Sequence, residues 1–505
     1  MSMTVRQRPN TADVHGVFEQ QMYVISSTEY SGGSYYKFRY IAEWYVAGTK
    51  VATVKVYPNA EGCGVFRVEQ IVQDFMSITK ADQNVSSNQI YTVSIHTLGA
   101  NSVANSWSIN NGENFRKVEM RFKQEYSTTA TGNPVVDAVN KIDGEYIDYI
   151  MSAGLRRNIK GTPATWDTGI KQFLSDENWL DSYIPLSLAS KILSDRQIDS
   201  TFRSTTASSV PVVHQDVTLY DVRTFGVLMD GSAPTGSTAV SAWIGTYNSS
   251  NVLTASGFIT ASTSGGTAPG SVTIDNERQQ FLGIGPYNLS VQTSVAAVAA
   301  EFAAPLATNT VAYYEVFLMK DSSTVPSTGT TSDMASCCYQ FTVKGADCMY
   351  GVEGYNPITL AWQNSLGAWD YQSFNLVSQK QTTGTKRKTF EQVAGNWDTA
   401  DASQDFNYRG DQGGLRIAKV NAHQEYTAHT DLWNEDEVDL LETLMLSPNV
   451  FLITSQGVTV TPVVITNTSF VFKKNVNERG PFLYQIKFKN AKERPTTKGG
   501  TYRGY

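Results

Sequence analysis

Apolar and polar residues alternate along most of the first 130 positions, and the alternation predicts strands. The clearest case is a hairpin: 36–47 runs up to a turn at Gly48-Thr49, and 50–57 returns. In the return strand Val51, Thr53 and Lys55 interleave with Ala52, Val54 and Val56, the period of two expected when one strand face is buried. Pro58-Asn59 then interrupts the pattern, and Gly62-Cys63-Gly64 marks a second tight turn. Phe66, Ile71, Val72 and Phe75 follow at mixed spacing that suits a short helix within 65–76, and further strands are expected over 89–98 and 116–124.

The period changes after Pro134. Val135, Val139, Ile142, Tyr146, Ile147 and Ile150 fall near helical spacing, with Gly144 inside the run, and 186–198 follows Pro185 as a second helical segment. These features predict a small helical insertion over about 134–200 on a β domain. From about 205 to 345 short apolar runs alternate with Ser/Thr/Gly turns, with strands expected at 281–293, 311–320 and 338–344. Ser, Thr and Gly supply 8, 7 and 7 of the 40 residues of 231–270, a linker-like composition. However, Trp243, Ile244, Tyr247, Phe258 and Ile259 stand between the polar runs, and that spacing favours a β-sandwich.

Beyond 346 the strands 358–362, 371–380 and 414–425 lead to one amphipathic helix over about 434–446. Asn434 can cap it, and Glu435, Asp436 and Glu437 complement the helix dipole in the first turn. Val438, Leu440, Leu441, Leu444 and Met445 supply the apolar stripe, and Ser447-Pro448 ends it. Strands at 450–454, 459–466 and 482–489 follow. The expected fold is therefore mainly β and multidomain, with β-sandwich-like domains. The expected division is 1–204, an N-terminal β domain with the helical insertion; 205–345, the Ser/Thr/Gly-rich sandwich; 346–490, an α+β domain; and 491–505, a basic extended tail.

Composition narrows the function. Of 505 residues, 47 are acidic and 40 basic, a formal charge of −7, and 17% are charged against roughly 25% in an ordinary soluble protein. The 41% hydrophobic content excludes a disordered chain, and the acidity argues against a dedicated nucleic-acid binder. The low charge is concentrated: 231–314 holds only Asp275, Glu277, Arg278 and Glu301. Residues 1–16 contain no apolar core of a secretory signal, and the most apolar span, 295–307, is broken by Glu301 and Pro305, so neither secretion nor a membrane span is expected. Cys63, Cys337, Cys338 and Cys348 form no CxxC pair and no disulfide framework, consistent with synthesis in a cytoplasm that keeps thiols reduced.

Candidate chemistry is sparse. Gly62-Cys63-Gly64 and Gly283-Ile284-Gly285 do not extend to a phosphate-binding loop, there is no Gly-x-Ser-x-Gly elbow, and Cys63 has no evident base. His423, Glu425, His429 and Asp431 would share one strand face, but spread over about 27 Å they cannot converge on a metal. Asp370, Asp398, Asp401, Asp405 and Asp411 lie near Trp362, Trp369, Trp397 and Tyr408, the residue types that glycan cleavage uses. They are also ordinary loop and core residues, and Lys386-Arg387-Lys388 reads as a solvated loop. No catalytic residue, metal ligand or cofactor is expected.

Two blocks carry a family resemblance. FRYIAEWYVAGTKVATVKVYPNAEGCGVFRVEQIVQDF (38–75) resembles the N-terminal strand–hairpin–turn block of virion proteins of tailed bacteriophages, particularly those of Bacteroidota-type hosts. GYNPITLAWQNSLGAWDYQSFNLVSQKQ (354–381) is similar to a second block of the same proteins, through Trp362, Asn364, Gly367, Trp369, Asp370 and Tyr371, and Leu432-Trp433 with the following helix continues the pattern. The resemblance spans well under half of the chain, omits the Ser/Thr/Gly-rich middle, and departs from the pattern at Gln363 and Ala368. It implies a structural subunit of the virion, made in the host cytoplasm, of tail or baseplate type. The expected partners are other virion proteins and copies of itself, with nucleic acid not among them. It leaves tail, baseplate, connector and head fibre open and brings no catalytic residues. The rival expectation is an adhesin that binds a receptor or host-surface glycan, with or without carboxylate-based hydrolysis. The position of Trp369 and Trp397 beside Asp370 and Asp398, in an open groove or buried, separates the two.

Overall fold

The computed structural model describes residues 3–8, 14–16, 22–31, 35–76, 96, 98, 106–108, 115–151, 190–192, 194, 196, 199–204, 209–229, 241–260, 279–304, 310–319, 325–326, 336, 338–344, 358–364, 368–374, 376, 378–392, 395–397, 406–408, 414–430, 435–453, 460–467, 484–492 and 494–495. It is mainly β, with several sheets and few helices.

A pair of sheets packs face to face in the N-terminal region. The larger has the order Val14–Gly16, Val135–Met151, Phe115–Ser127, Tyr36–Val46, Thr49–Val56; the smaller has Met3–Gln7, Met22–Ser27, Cys63–Arg67. Alternation does the work that the sequence predicts: Tyr40, Ala42 and Trp44 turn inward, and Phe122 meets Tyr23 and Phe66 at ring-centroid distances of 5.4 and 5.5 Å. The 36–57 hairpin turns at Ala47-Gly48, whose φ angles are +48° and +77°. Positive φ at both central residues is the turn that matches strand twist, and Gly48 adopts it without strain. At the second turn Asn59 Oδ1 accepts the backbone N–H groups of Glu61 and Cys63, and Gly62 and Gly64 admit the rings of Tyr30 and Tyr40, which any Cβ would strike. The short helix expected within 65–76 is present as Glu69–Val72 continued by the 3-10 turn Gln73–Phe75.

The expected helical insertion over about 134–200 is corrected wherever its residues are described. Val135–Met151 is a 17-residue strand paired with Phe115–Ser127, and Ser190–Ile192 is a strand as well. Residues 152–189 lie outside the described residues, as do most of the 89–98 strand, parts of the Ser/Thr/Gly-rich segment and most of the basic tail. The helical spacing has a physical origin. Three register shifts interrupt the Val135–Met151 pairing, and they insert extra residues on this strand relative to its partner. Each extra residue stretches the period of two. The residues that pair with positions 122, 120, 118 and 116 are therefore 142, 145, 147 and 150, a spacing that imitates a helix.

The middle region holds a six-stranded sheet, ordered Asp199–Ser204, Ser209–Val217, Cys338–Val343, Tyr313–Met319, Ser241–Tyr247, Leu253–Thr260. One pair, Ser209–Val217 with Cys338–Val343, is parallel. A four-stranded sheet (Ser190–Ile192, Thr224–Met229, Gln279–Gly283, Ser106–Ser108) packs on it, with Phe225 4.7 Å from Tyr339. The expected 281–293 strand ends at Gly283. Pro286 then starts the helix Pro286–Ser290, and Ala296–Ala303 forms a second helix that packs Phe302 5.1 Å from Tyr314.

In the C-terminal region all pairings are antiparallel, in the order Trp369–Phe374, Ile358–Gln363, Val450–Ile453, Val460–Ile465, Gln485–Asn490, Gly414–His429, Gln379–Gln392, with Arg494–Pro495 added to Gly414–His429. The predicted helix spans Glu435–Leu446. Its Leu440, Leu441 and Leu444 pack against Leu360, Trp362, Phe374, Ile486 and Phe488. The opposite face of the same sheet sends Ala361, Trp369, Tyr371 and Ile453 into the core of the middle region, which also takes in Leu98 and Ile192. The packing therefore crosses both of the boundaries, 204 and 345, that composition suggests.

Candidate functional site

Residues 362–364 and 368–371 sit at this crossing. Ile358–Gln363 is buried along its whole length because its two faces serve two cores. Trp362 faces the helix and donates its indole N–H to Thr443 Oγ1 at 3.0 Å; Trp369 faces the middle region, 5.4 Å from Phe451 and 4.8 Å from His96. The turn between the strands is closed by Asn364, whose Oδ1 accepts the Ala368 N–H at 2.8 Å. Ala368 is fully buried, and a Cβ on Gly226 would come within 2.4 Å of its Cβ, so the turn and the Thr224–Met229 strand approach backbone to backbone.

Around this contact runs a buried polar seam assembled from distant stretches of chain. Asp221 Oδ2 accepts from Arg223 Nη2 at 3.0 Å, from the Ser373 hydroxyl at 2.8 Å and from the Thr218 N–H at 3.0 Å. Arg223 Nη2 also donates to Ser373 Oγ at 2.8 Å, and its guanidinium lies 5.3 Å from the Tyr371 ring centroid. Asp370 accepts from Ser194 Oγ at 2.7 Å and from Asn364 Nδ2 at 3.1 Å. Arg196 donates to the Tyr371 carbonyl and to Gln372 Oε1, the latter at 2.8 Å. Asn288 ties the far side: its Oδ1 accepts the Arg223 N–H, and its Nδ2 donates to the carbonyls of His96 and Leu98. Gly283 and Gly285 serve this packing, since a Cβ on either would strike Leu98 O or Arg223 N at 2.3 Å.

Low dielectric makes each of these groups expensive to leave unpaired. Burial drives the His96 imidazole down to about 3, so it stands neutral with Nδ1 2.7 Å from the Tyr371 hydroxyl, and burial pushes that phenol well above its ordinary range. The seam is closed to solvent: Arg223 is 2% exposed, Asp370 3% and Asp221 5%. Chemically it fixes the register between two sheets.

The sequence candidates separate accordingly. Trp369 and Asp370 are buried in the seam and form no open groove. Asp398, Asp401, Asp405 and Asp411 lie outside the described residues, while Tyr408 is 75% exposed on a short hairpin formed by Gly395–Trp397 and Phe406–Tyr408. His423 and Glu425 pair with each other at 2.7 Å along the Gly414–His429 strand, with Asp431 outside the described residues, and no metal-holding group of side chains exists among the described residues. Lys386, Arg387 and Lys388 lie within the Gln379–Gln392 strand and not in a loop. Cys63 is half-buried in its turn. Among the described residues no helix is long and apolar enough to cross a membrane. Sequence reasoning missed Asp221, Arg223, Asn288, Ser194, Arg196 and His96; the one signal was a charged pair two residues apart beside an otherwise charge-poor stretch.

The exposed surface differs in character. On the face of the five-stranded sheet turned away from its core, partly exposed bases cover two buried carboxylates: Arg39 and Lys55 cover Glu125, and Lys50 and Lys123 cover Glu43. A cleft of about 500 Å³ opens between the Met3–Gln7 strand and Ile142, bridged by the Arg8–Glu145 ion pair. Exposed apolar side chains are spread over the described surface, and two groups of them stand close together along a strand. Val135, Val136 and Val139 mark one, and Leu415 and Ile417 the other.

No family model matches the chain, and no curated protein matches it. Among solved structures it is similar to trypsin-activated alpha-2-macroglobulin from Escherichia coli at 8% identity and a TM-score of 0.18, over 85% of this chain and 23% of that one. The chain thus spans under a quarter of that protein, and a superposition so loose carries no argument about fold or activity.

Proposed function

We propose that this chain is a structural subunit of a tailed-phage virion, of tail or baseplate type, which acts through contacts with copies of itself and with other virion proteins. The observation that carries the reading is the distribution of its aromatic and apolar residues. In the block on which the family resemblance rests, Trp362, Ala368, Trp369 and Tyr371 are spent on joining two sheets inside the chain. Other apolar side chains are left outside, among them Val139, 85% exposed, and Leu415, 78% exposed. The exposed run of Val135, Val136 and Val139 suits burial against a neighbour.

In the adhesin reading Trp369 and Asp370, being buried, supply no groove, and Tyr408 on its hairpin is the exposed aromatic it would use. The test is direct. Antibody raised against the purified chain is expected to decorate the tail or baseplate of intact particles in negative stain. Absence of the chain from purified particles by mass spectrometry would reject the proposal. Glycan binding that disappears on Tyr408→Ala would favour the adhesin.

A further inference from the structure

The six-stranded sheet of the middle region ends in a strand unlike the other sheet edges. Leu253–Thr260 pairs on one side with Ser241–Tyr247, and among the described residues no strand pairs with its other side. One extra residue, Thr254, bulges next to the turn; beyond it Ala255 to Thr260 lie opposite Thr246 to Ser241 in regular register. The neighbouring strand Ser241–Tyr247 is buried along its whole length, whereas Leu253 is 46% exposed and Ser256 is exposed. One face of the edge is backed by Val295, so close that a Cβ on Gly257 would come within 2.9 Å of its Cγ1. The strand is thus held extended with its far side uncovered, and its outward N–H and C=O groups, at every second residue, form a template for a further strand.

Sheet edges are ordinarily blunted by charge, proline, bulges or shortness. Among the described residues every other edge strand of four residues or more contains a charged residue. Met3–Gln7 has Arg6, Cys63–Arg67 has Arg67, and Thr49–Val56 has Lys50 and Lys55; Trp369–Phe374 has Asp370, and Gln379–Gln392 has Lys380 among others. The opposite edge of the same sheet, Asp199–Ser204, has Asp199, Arg203 and a register shift. Leu253–Thr260, LTASGFIT, has no charge, no proline and, from Ala255 onward, no bulge. It lies inside 231–274, where no residue is charged.

We propose that Leu253–Thr260 is a homotypic docking edge: the same strand of a second copy of this chain pairs with it antiparallel about a two-fold axis and joins the two six-stranded sheets into one. A row of backbone groups selects an extended chain as the occupant, and the lack of charge selects a copy. Antiparallel pairing about a two-fold axis brings a patch against itself. A charged edge would then set like against like, which destabilises cross-strand pairs, and this edge and its flanks hold no charge to oppose. This inference rests on the assembly reading and specifies one of its contacts.

Charge placed on the edge tests it with an internal rescue. Ser256 is exposed, so Ser256→Lys and Ser256→Glu leave the core untouched, and circular dichroism checks that both are folded. Sedimentation equilibrium over a concentration series measures mass, and hydrogen–deuterium exchange at low and high concentration measures protection of the amides of 255–260. The wild type is expected to self-associate and to protect those amides as concentration rises. Each variant alone is expected to associate roughly tenfold more weakly, and an equimolar mixture of the two to recover.

If the wild type associates while both variants do so equally well, or while 255–260 exchange at a constant rate, the edge is not the contact and the assembly reading survives. A wild type that stays monomeric throughout overturns the homotypic edge, and its presence in purified particles then judges the assembly reading separately. Protection of 255–260 found only in particles, with the purified chain monomeric, would assign the edge to a different virion protein and overturn the proposal.

Discussion

Asp221 and Ser373, 152 positions apart, meet at 2.8 Å inside the protein, the serine hydroxyl donating to a carboxylate that already holds Arg223. This joins the middle region to the C-terminal sheet through a charged pair that water does not reach. Replacing one partner of such a pair costs about 3–5 kcal/mol because the other charge is left buried and alone. Asp221→Ala is therefore expected to lower the stability measured by urea unfolding by about that amount, and Ser373→Ala by about 1 kcal/mol. A loss below about 1 kcal/mol for Asp221→Ala would mean that the seam does not hold the two regions together.

His96 predicts acid sensitivity. Its ordinary value is 6.5 and burial lowers it to about 3. Between those values the unfolded chain takes a proton that the folded chain refuses. The stability tied to the neutral ring is thus complete above about pH 6.5, falls as the pH drops, and levels off near 3. At about pH 4.5 the loss is about 2–3 kcal/mol at about 1.4 kcal/mol per pH unit. Thermal melts at about pH 7 and about pH 4.5 are expected to show a smaller acid-induced drop in His96→Gln than in the wild type. Equal drops would place the acid-sensitive group elsewhere.

The close approach of Gly226 and Ala368 makes a paired prediction. Gly226→Ala puts a Cβ 2.4 Å from that of Ala368 and is expected to cost about 1–3 kcal/mol. Ala368→Gly should recover some of it in the double variant, which denaturant midpoints can measure. Additive losses would show that the two backbones can move apart.

Asp137 holds an irregularity of the Val135–Met151 strand by accepting the N–H groups of Val139 and Asn140. Burial raises its carboxyl, but Asn140, Gln124 and those N–H groups outweigh it and bring it to about 2, against 3.8 ordinarily. Its contribution is present above about pH 3.8 and is lost as the pH falls through 2. Carboxyl chemical shifts followed by NMR should titrate near 2, and a midpoint near the ordinary 3.8 would show that the cradle does not form in solution.

Much of the fold was legible because a strand with one buried face must alternate. The 36–57 hairpin, the Glu69–Val72 turn of helix and the Glu435–Leu446 helix all follow from local pattern, and each stands within a few residues of its expected bounds. Val135–Met151 was not legible, since its register shifts stretch an alternation of two into a helical spacing.

The neutrality of the middle region, the shortage of catalytic residue types and the dominance of strands were determined by the sequence alone, because composition and period are local properties. What Trp369 and Asp370 do was decided only by the tertiary structure. Their neighbours along the chain suggested a glycan groove, and their neighbours in space are His96, Phe451, Ser194 and Asn364. Burial depends on which distant strands close over a residue, and no local pattern contains that information.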